Sequence, residues 1–237
     1  MYKLIYLARR AATVSREDWP RTWRSHAIFS SQFPVIVSGI GFLRYCNRID
    51  TPTLDGKPVE LPGVSTAHDG VALAGNDSLE ALTAAGFAPE DQAKVLNDER
   101  RVFDMLTPNF TYRCTENVLR DGKMGEVALY RFLARKPETT REDFDLAWDC
   151  RHAEVARDAL DGLGSVIRYV HNRPVHEPLP LFPFDGIVEC WFGSEDDAVR
   201  ALSDGSFDAI EQDLGTFCDL DAGVTMLTKV FHRWPKD

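Results

Sequence analysis

The sequence predicts an α+β fold built twice over, as two βαββαβ units in one chain. Three observations carry that expectation. The first is an internal repeat: "YLARRAATVSREDWPRTWRSHAI" (6–28) is answered by "FLARKPETTREDFDLAWDCRHAE" (132–154). Further landmarks follow in the same order, "GFLRYCNR" (41–48) by "SVIRYVHNR" (165–173) and "HDGVALAG" (68–75) by "FDGIVECWF" (184–192), and repeats at a long period define the architecture before any single element does. The second is that each copy alternates apolar, β-branched runs with stretches of helical periodicity. The third is length: 237 residues suffice for two units that each bury a core. We place the units at 1–122 and 123–237.

Each copy opens on a strand (about 2–9 and 126–134). A Ser or Thr with an acid three residues on then marks a helix start, Ser15 with Asp18 and Thr140 with Asp143. Pro20 falls inside the first of these helices and removes one backbone donor. Two strands follow in each copy (39–48 and 69–75; 164–173 and 185–192), joined by proline-rich loops. A second helix (89–105; 195–212) and a last strand (110–118; 223–233) complete the split-βαβ, ferredoxin-like order. Such a sheet is covered by helices on one face only, so its bare face needs a partner. Two copies in one chain supply it by closing a barrel with helices outside.

Composition narrows the function. The net charge of −10 argues against a nucleic-acid partner, which needs clustered Lys and Arg. Five scattered cysteines without a C-x-x-C read as free thiols in a reducing compartment. With no signal-peptide pattern and no apolar run long enough to span a bilayer, a cytoplasmic protein without membrane association is expected. Phosphate-binding and nucleophile-elbow motifs are absent, so a nucleotide cofactor has no support.

The candidate chemistry lies in the second copy. Phe144, Trp148, His152 and Val155 share one helical stripe, which sets an imidazole on the buried side. Glu189 interrupts the apolar strand "IVECWF", with Ile187 and Trp191 on its own face. A carboxylate there is costly unless paired, and a Glu189–His152 contact would make the imidazole a better general base. Tyr169 and His171 alternate on one strand face with Ile167, and Tyr45 is the first copy's equivalent of Tyr169. Either phenol could bind a substrate hydroxyl or hold an oxyanion. The ordinary alternatives are a core histidine, a solvent-facing glutamate and a packed tyrosine.

The proline-stiffened loop "HNRPVHEPLPLFPF" (171–184) offers Phe182 and Phe184 as a rim for an aromatic ligand. Its His171, His176 and Glu177 form a weak metal-binding pattern, and no metal is assigned. In the first copy, Trp23 and His26 stand three residues apart rather than four, which would turn that ring by about 100°. Leu73 stands where the second copy has Glu189. The second copy is therefore expected to carry most of the activity, with His26 and Tyr45 lining a lesser pocket.

The pattern Arg-basic…Ser/Thr-Arg-Glu-Asp-aromatic…Trp-x-x-x-His-Ala, then Arg-Tyr, then Asp-Gly-Ile-Val-Glu-x-Trp-Phe, resembles the EthD-like family of the dimeric α/β-barrel superfamily. The second copy is the better match. The resemblance implies an intramolecular dimeric α/β barrel and a pocket between one unit's sheet and its helices. It implies a reaction only loosely, because relatives range over several chemistries. The expectation is a cofactor-independent lyase or isomerase using His152, assisted by Glu189 and Tyr169 or His171. Its substrate would be a small hydroxylated aromatic or polyketide-like compound, with catabolism of plant phenolics as the setting. Trp148 and Trp191 would contact that substrate. The alternatives are a cofactor-free monooxygenase, a haem protein and a non-catalytic carrier. Two such chains could also associate as a homodimer, although nothing in the sequence requires it.

Overall fold

The computed structural model describes residues 1–83 and 87–235. Its elements run β1 (Tyr2–Ala8), α1 (Trp19–Ser30), α2 (Pro34–Gly39), β2 (Phe42–Arg48), β3 (Thr53–Leu54), β4 (Lys57–Pro58), β5 (Gly70–Asn76), α3 (Leu79–Thr83), α4 (Pro89–Val102) and β6 (Thr111–Arg120). The second half continues with β7 (Val127–Arg135), α5 (Arg141–Leu146), a π-turn (Ala147–Arg151), α6 (His152–Asp161), β8 (Val166–Pro174), β9 (Gly186–Phe192), α7 (Glu195–Ser203), α8 (Asp208–Phe217) and β10 (Cys218–Trp234). Strand order is β1-β5-β2-β10-β7-β9-β8-β6, closing on itself as an antiparallel eight-stranded barrel. The fold is the intramolecular dimeric α/β barrel that the repeat predicts.

By its internal contacts the chain forms two compact units. The first comprises Met1–Arg48, Ala67–Thr115 and the chain from Val230; the second comprises Ile49–Thr66 and Glu116–Lys229. Two of the four boundaries fall within the long strands β6 and β10, and the other two flank segment 49–66. Segment 49–66 contributes the β3–β4 hairpin, turned by Asp55 and Gly56 at positive φ. Thr53 holds it to the second unit, donating from N and Oγ1 to Glu195 at 2.8 and 3.1 Å.

The repeated motifs form the same clamp in each unit. In the first, Asp69 accepts from the Arg10 backbone N at 2.9 Å and pairs with the Arg10 guanidinium. Arg16, from the Ser-Arg-Glu-Asp motif, reaches the Arg48 carbonyl at 2.8 Å and Asp69 at 3.5 Å. In the second, Asp185 accepts from the Arg135 N at 2.9 Å and pairs with its guanidinium, while Arg141 reaches Asp185 at 3.3 Å and the Pro174 carbonyl at 3.2 Å. The glycine after each Asp makes room for the helix. A Cβ on Gly70 would lie 2.4 Å from the Trp23 ring, and one on Gly186 would lie 3.2 Å from Trp148. Half of the repeat's conspicuous residues thus fasten the first helix of each unit to the ends of its strands.

Thr140 caps α5, its Oγ1 accepting from Asp143 N at 3.1 Å. Three features differ from the sequence expectation. Ser15 Oγ accepts from Asp18 N at 3.0 Å in a turn ahead of α1, whose N-cap is Asp18 without a side-chain cap bond. The helix expected at 195–212 is broken, with Gly205 at φ +79 between α7 and α8. The Phe144 stripe does not run on to Val155, which is half-buried. The π-turn shifts the register, so Ala156 and Leu160 continue the stripe.

Candidate active site

His152 answers the question raised by an imidazole in a helix core. It is fully buried, and its Nδ1 lies 2.9 Å from Asp213 Oδ2 on α8. Its ring joins a stack: Trp148 and His171 lie 3.9 Å apart at 20°, and His171 and His152 lie 5.1 Å apart at 5°. Phe217 meets His152 edge-on. Among the described residues, His152 Nε2 has no hydrogen-bond partner. Burial lowers the His152 pKa against the pull of Asp213, and burial with the neighbouring His152 pushes His171 well below the ordinary imidazole range. Tyr169, on the same sheet face, is buried and its phenol is pushed up by burial. The second unit thus holds neutral, enclosed rings.

In the first unit the same dyad is formed from different spacing. His26 Nδ1 lies 2.6 Å from Asp98 Oδ2 on α4, and Phe103 meets the ring edge-on at 5.0 Å. The expected 100° rotation of His26 does not occur, because the extra residue between Trp148 and His152 is absorbed by the π-turn at Ala147–Arg151. A π-turn accommodates one added residue while the flanking helical register is kept. Both histidines therefore face an aspartate of a later helix, α4 in the first unit and α8 in the second. Asp98 also takes Arg101 at 2.6 Å, and Asp213 takes Arg151 at 3.1 Å. Burial works against ionisation of Asp98, but hydrogen bonds from His26 and Arg101 outweigh it and lower its pKa.

The environments of the two dyads differ. His26 lines a cavity of about 340 Å³ with Tyr6, Tyr45, Glu99, Thr107 and Arg113, and its remaining wall is mostly apolar. The cause is local. The second unit's helix runs on to Asp161 and buries Ala156 and Leu160 beyond His152. In the first, α1 stops at Ser30 and Pro34 opens α2, because proline cannot continue a helix. Ser30, Val35, Ile36 and Ile40 become cavity wall. Trp23 stacks on Tyr45 at 4.8 Å and 10°. Burial raises the Tyr45 phenol to about 12 and raises Tyr6 well above its ordinary value, so both phenols are protonated at neutral pH.

Other expected site residues lie elsewhere. Glu189 does not meet His152; Val188 and Cys190 pack with the helices, and alternation along β9 turns Glu189 to the opposite sheet face. There it accepts from Asn172 Nδ2 at 2.8 Å and Trp191 Nε1 at 3.1 Å. Trp191 shares that face, packing edge-on to Tyr130, and Phe184 packs on Phe132. Phe182 is half-buried. His176 sits beside the Glu177 carbonyl at 2.6 Å, apart from the buried His171, and no group of three His, Cys, Asp or Glu fit to hold a metal occurs among the described residues. Asp98 and Asp213 escaped the sequence reading. Their one signal is an aspartate shortly before a phenylalanine in the second helical segment of each copy, Asp98…Phe103 and Asp213…Phe217.

Comparison with known proteins agrees with this architecture. The closed antiparallel barrel of eight strands with its helices is the dimeric α/β-barrel fold. Within it, residues 136–221 match the EthD domain model. No curated protein matches the sequence. Among solved structures, the fold is similar to an anthrone oxidase-like protein (TM-score 0.62, 9% identity, covering 98% of this chain and 92% of the other). It is also similar to a candidate monooxygenase from Fusobacterium nucleatum subsp. nucleatum (TM-score 0.59, 9% identity, 98% and 93%). A candidate monooxygenase from Lactobacillus acidophilus aligns at TM-score 0.52 with 7% identity, over 98% and 94%. At these identities the likeness concerns the fold. No described helix is long and apolar enough to cross a membrane.

Proposed function

We propose that the protein is an enzyme that removes a proton from a small hydroxylated aromatic or polyketide-like molecule, and that it does so in the first unit. The observation that carries this is the placement of His26: one ring nitrogen is fixed by Asp98 at 2.6 Å, and the ring borders a cavity of about 340 Å³. Asp98 orients the imidazole and stabilises the imidazolium formed when the other nitrogen takes the proton. The apolar walls keep water from the enolate or phenolate that results. Loss of a small unit, elimination or isomerisation then completes a lyase- or isomerase-type reaction without a cofactor.

This places the working pocket in the copy that the sequence ranks second. His152 has the equivalent aspartate, Asp213, but its ring is fully enclosed, and it serves as a core group. A second reading shares the first step: the carbanion or phenolate reacts with dioxygen, as the names of the similar structures suggest. Haem suits the cavity poorly, since its volume is at the lower end of the roughly 300–1,000 Å³ of small-molecule sites and matches one or two rings better than a porphyrin.

Exchange of carbon-bound protons into D2O tests the shared step directly. With a panel of hydroxylated aryl ketones and anthrones, the protein should accelerate exchange next to the carbonyl in the absence of oxygen. Oxygen uptake on aeration would favour the second reading. No acceleration with any member of the panel would reduce the protein to a carrier.

A further inference from the structure

Among the polar groups of the first-unit cavity that the proton transfer leaves unused are Tyr6, Tyr45 and Glu99. Tyr6 and Glu99 are particular to this unit, whereas Tyr45 has its equivalent in Tyr169. By strand register Tyr6, opposite Ala72, corresponds to Arg131, opposite Val188, and Arg131 is ion-paired with Glu211. Glu99, next after Asp98, corresponds to Leu214, next after Asp213. The two phenol rings lie 6.2 Å apart, edge to face, and both line the cavity. Each phenol carries one O–H proton that a ligand oxygen can accept. Glu99 is 7% exposed and accepts from Thr107 N at 3.1 Å and Thr107 Oγ1 at 2.7 Å. Both partners are neutral, and a carboxylate retains further lone pairs for a ligand donor.

We propose that this cavity selects an uncharged hydroxy-aryl carbonyl compound: the Tyr6–Tyr45 pair donates to its carbonyl oxygen, Glu99 accepts from a hydroxyl, and the matching carboxylate is rejected. The proposal deepens the proton-transfer reading and rests on it for the site, but not for its test. The rejection follows from charge. Glu99 and Asp98 stand beside the phenols, and their negative field is among the causes that raise the Tyr45 pKa. A ligand carboxylate would meet that field where water is largely excluded. Arg113 is the cation at the lining, but it is exposed, and water and salt screen it. The buried carboxylate therefore decides the preference.

Titration calorimetry of the full chain with 2′-hydroxyacetophenone and with salicylate compares a neutral carbonyl with its carboxylate analogue. The ketone should bind at least about tenfold more tightly, one buried polar mismatch being worth about that factor. Glu99→Gln keeps an acceptor for Thr107 and removes the charge, so it should narrow the ratio several-fold by strengthening salicylate. Tyr45→Phe keeps the stack on Trp23 and should weaken the ketone alone. Equal or tighter salicylate binding, a ratio unchanged in folded Glu99→Gln, or no binding of either probe would overturn the proposal. His26→Ala separates the two readings: it should abolish exchange while leaving the selectivity ratio in place.

Discussion

At the scale of single residues, the polar groups of each unit divide into fasteners and groups free to act. Asp69 and Asp185 are fasteners. Each is nearly inaccessible, and each is held by a backbone N and an arginine. Removing one partner of such a pair strands the other, so Asp185→Ala should lower stability by about 3–5 kcal/mol in urea unfolding; a loss below about 1 kcal/mol would demote the clamp to decoration. The buried imidazoles give a pH signature. His68 is lowered to about 4 by burial, and His152 and His171 are lowered as well. Unfolding raises each toward about 6.5, so the unfolded chain binds protons first. Their stabilisation is complete above about pH 6.5 and is lost as pH falls through that value. Thermal melts between pH 7 and 4 should therefore decline steeply, and less so in His171→Asn, which installs the residue of the first copy, Asn47. An unchanged slope in that variant would remove His171 from the account. Such pairings were only half legible in the sequence: Glu189 and Asp213 are both acids near a histidine in the repeat, and only strand alternation and helix packing decide which one meets it.

At the scale of elements, one residue of spacing carries the lesson. The sequence shows His26 three residues after Trp23 and His152 four after Trp148. On a regular helix the two rings would point differently, and the π-turn removes that difference. Periodicity analysis assumes about 3.6 residues per turn throughout and is blind to such a bulge. Deleting Cys150 should convert the turn to regular α-helix and keep the dyad, with the melting temperature changed by no more than a few degrees. Deleting Ala156, outside the turn, should rotate the rest of α6 by about 100° and prevent folding. Equal damage from both deletions would show that the turn does not absorb the extra residue. The short elements were hidden for other reasons. Asp55-Gly56 is a hairpin signal, but the prolines around it resemble a loop. The α2 segment "PVIVSG" is too short for its period to show.

At the scale of the whole molecule, the duplication made the fold legible, because two weak patterns in the same order support each other where either alone would not. The same duplication obscured the site. The second copy keeps the motif residues that match the EthD domain, yet those residues are largely the clamp and the core. The first copy diverges at the motif, and there Pro34 ends the helix and opens room beside His26. A match to family residues thus reports how a unit is fastened, while the cavity reports where a ligand fits. The most direct test is to compare His26→Ala with His152→Ala, both verified as folded, in the carbon-proton exchange catalysed by the wild type. His26→Ala should lower the rate by about 10²–10⁴-fold, the usual worth of positioned proton transfer, and His152→Ala should lose less than about threefold. The reverse order, with His152→Ala inactive and His26→Ala near wild type, would contradict the account and return the chemistry to the second unit.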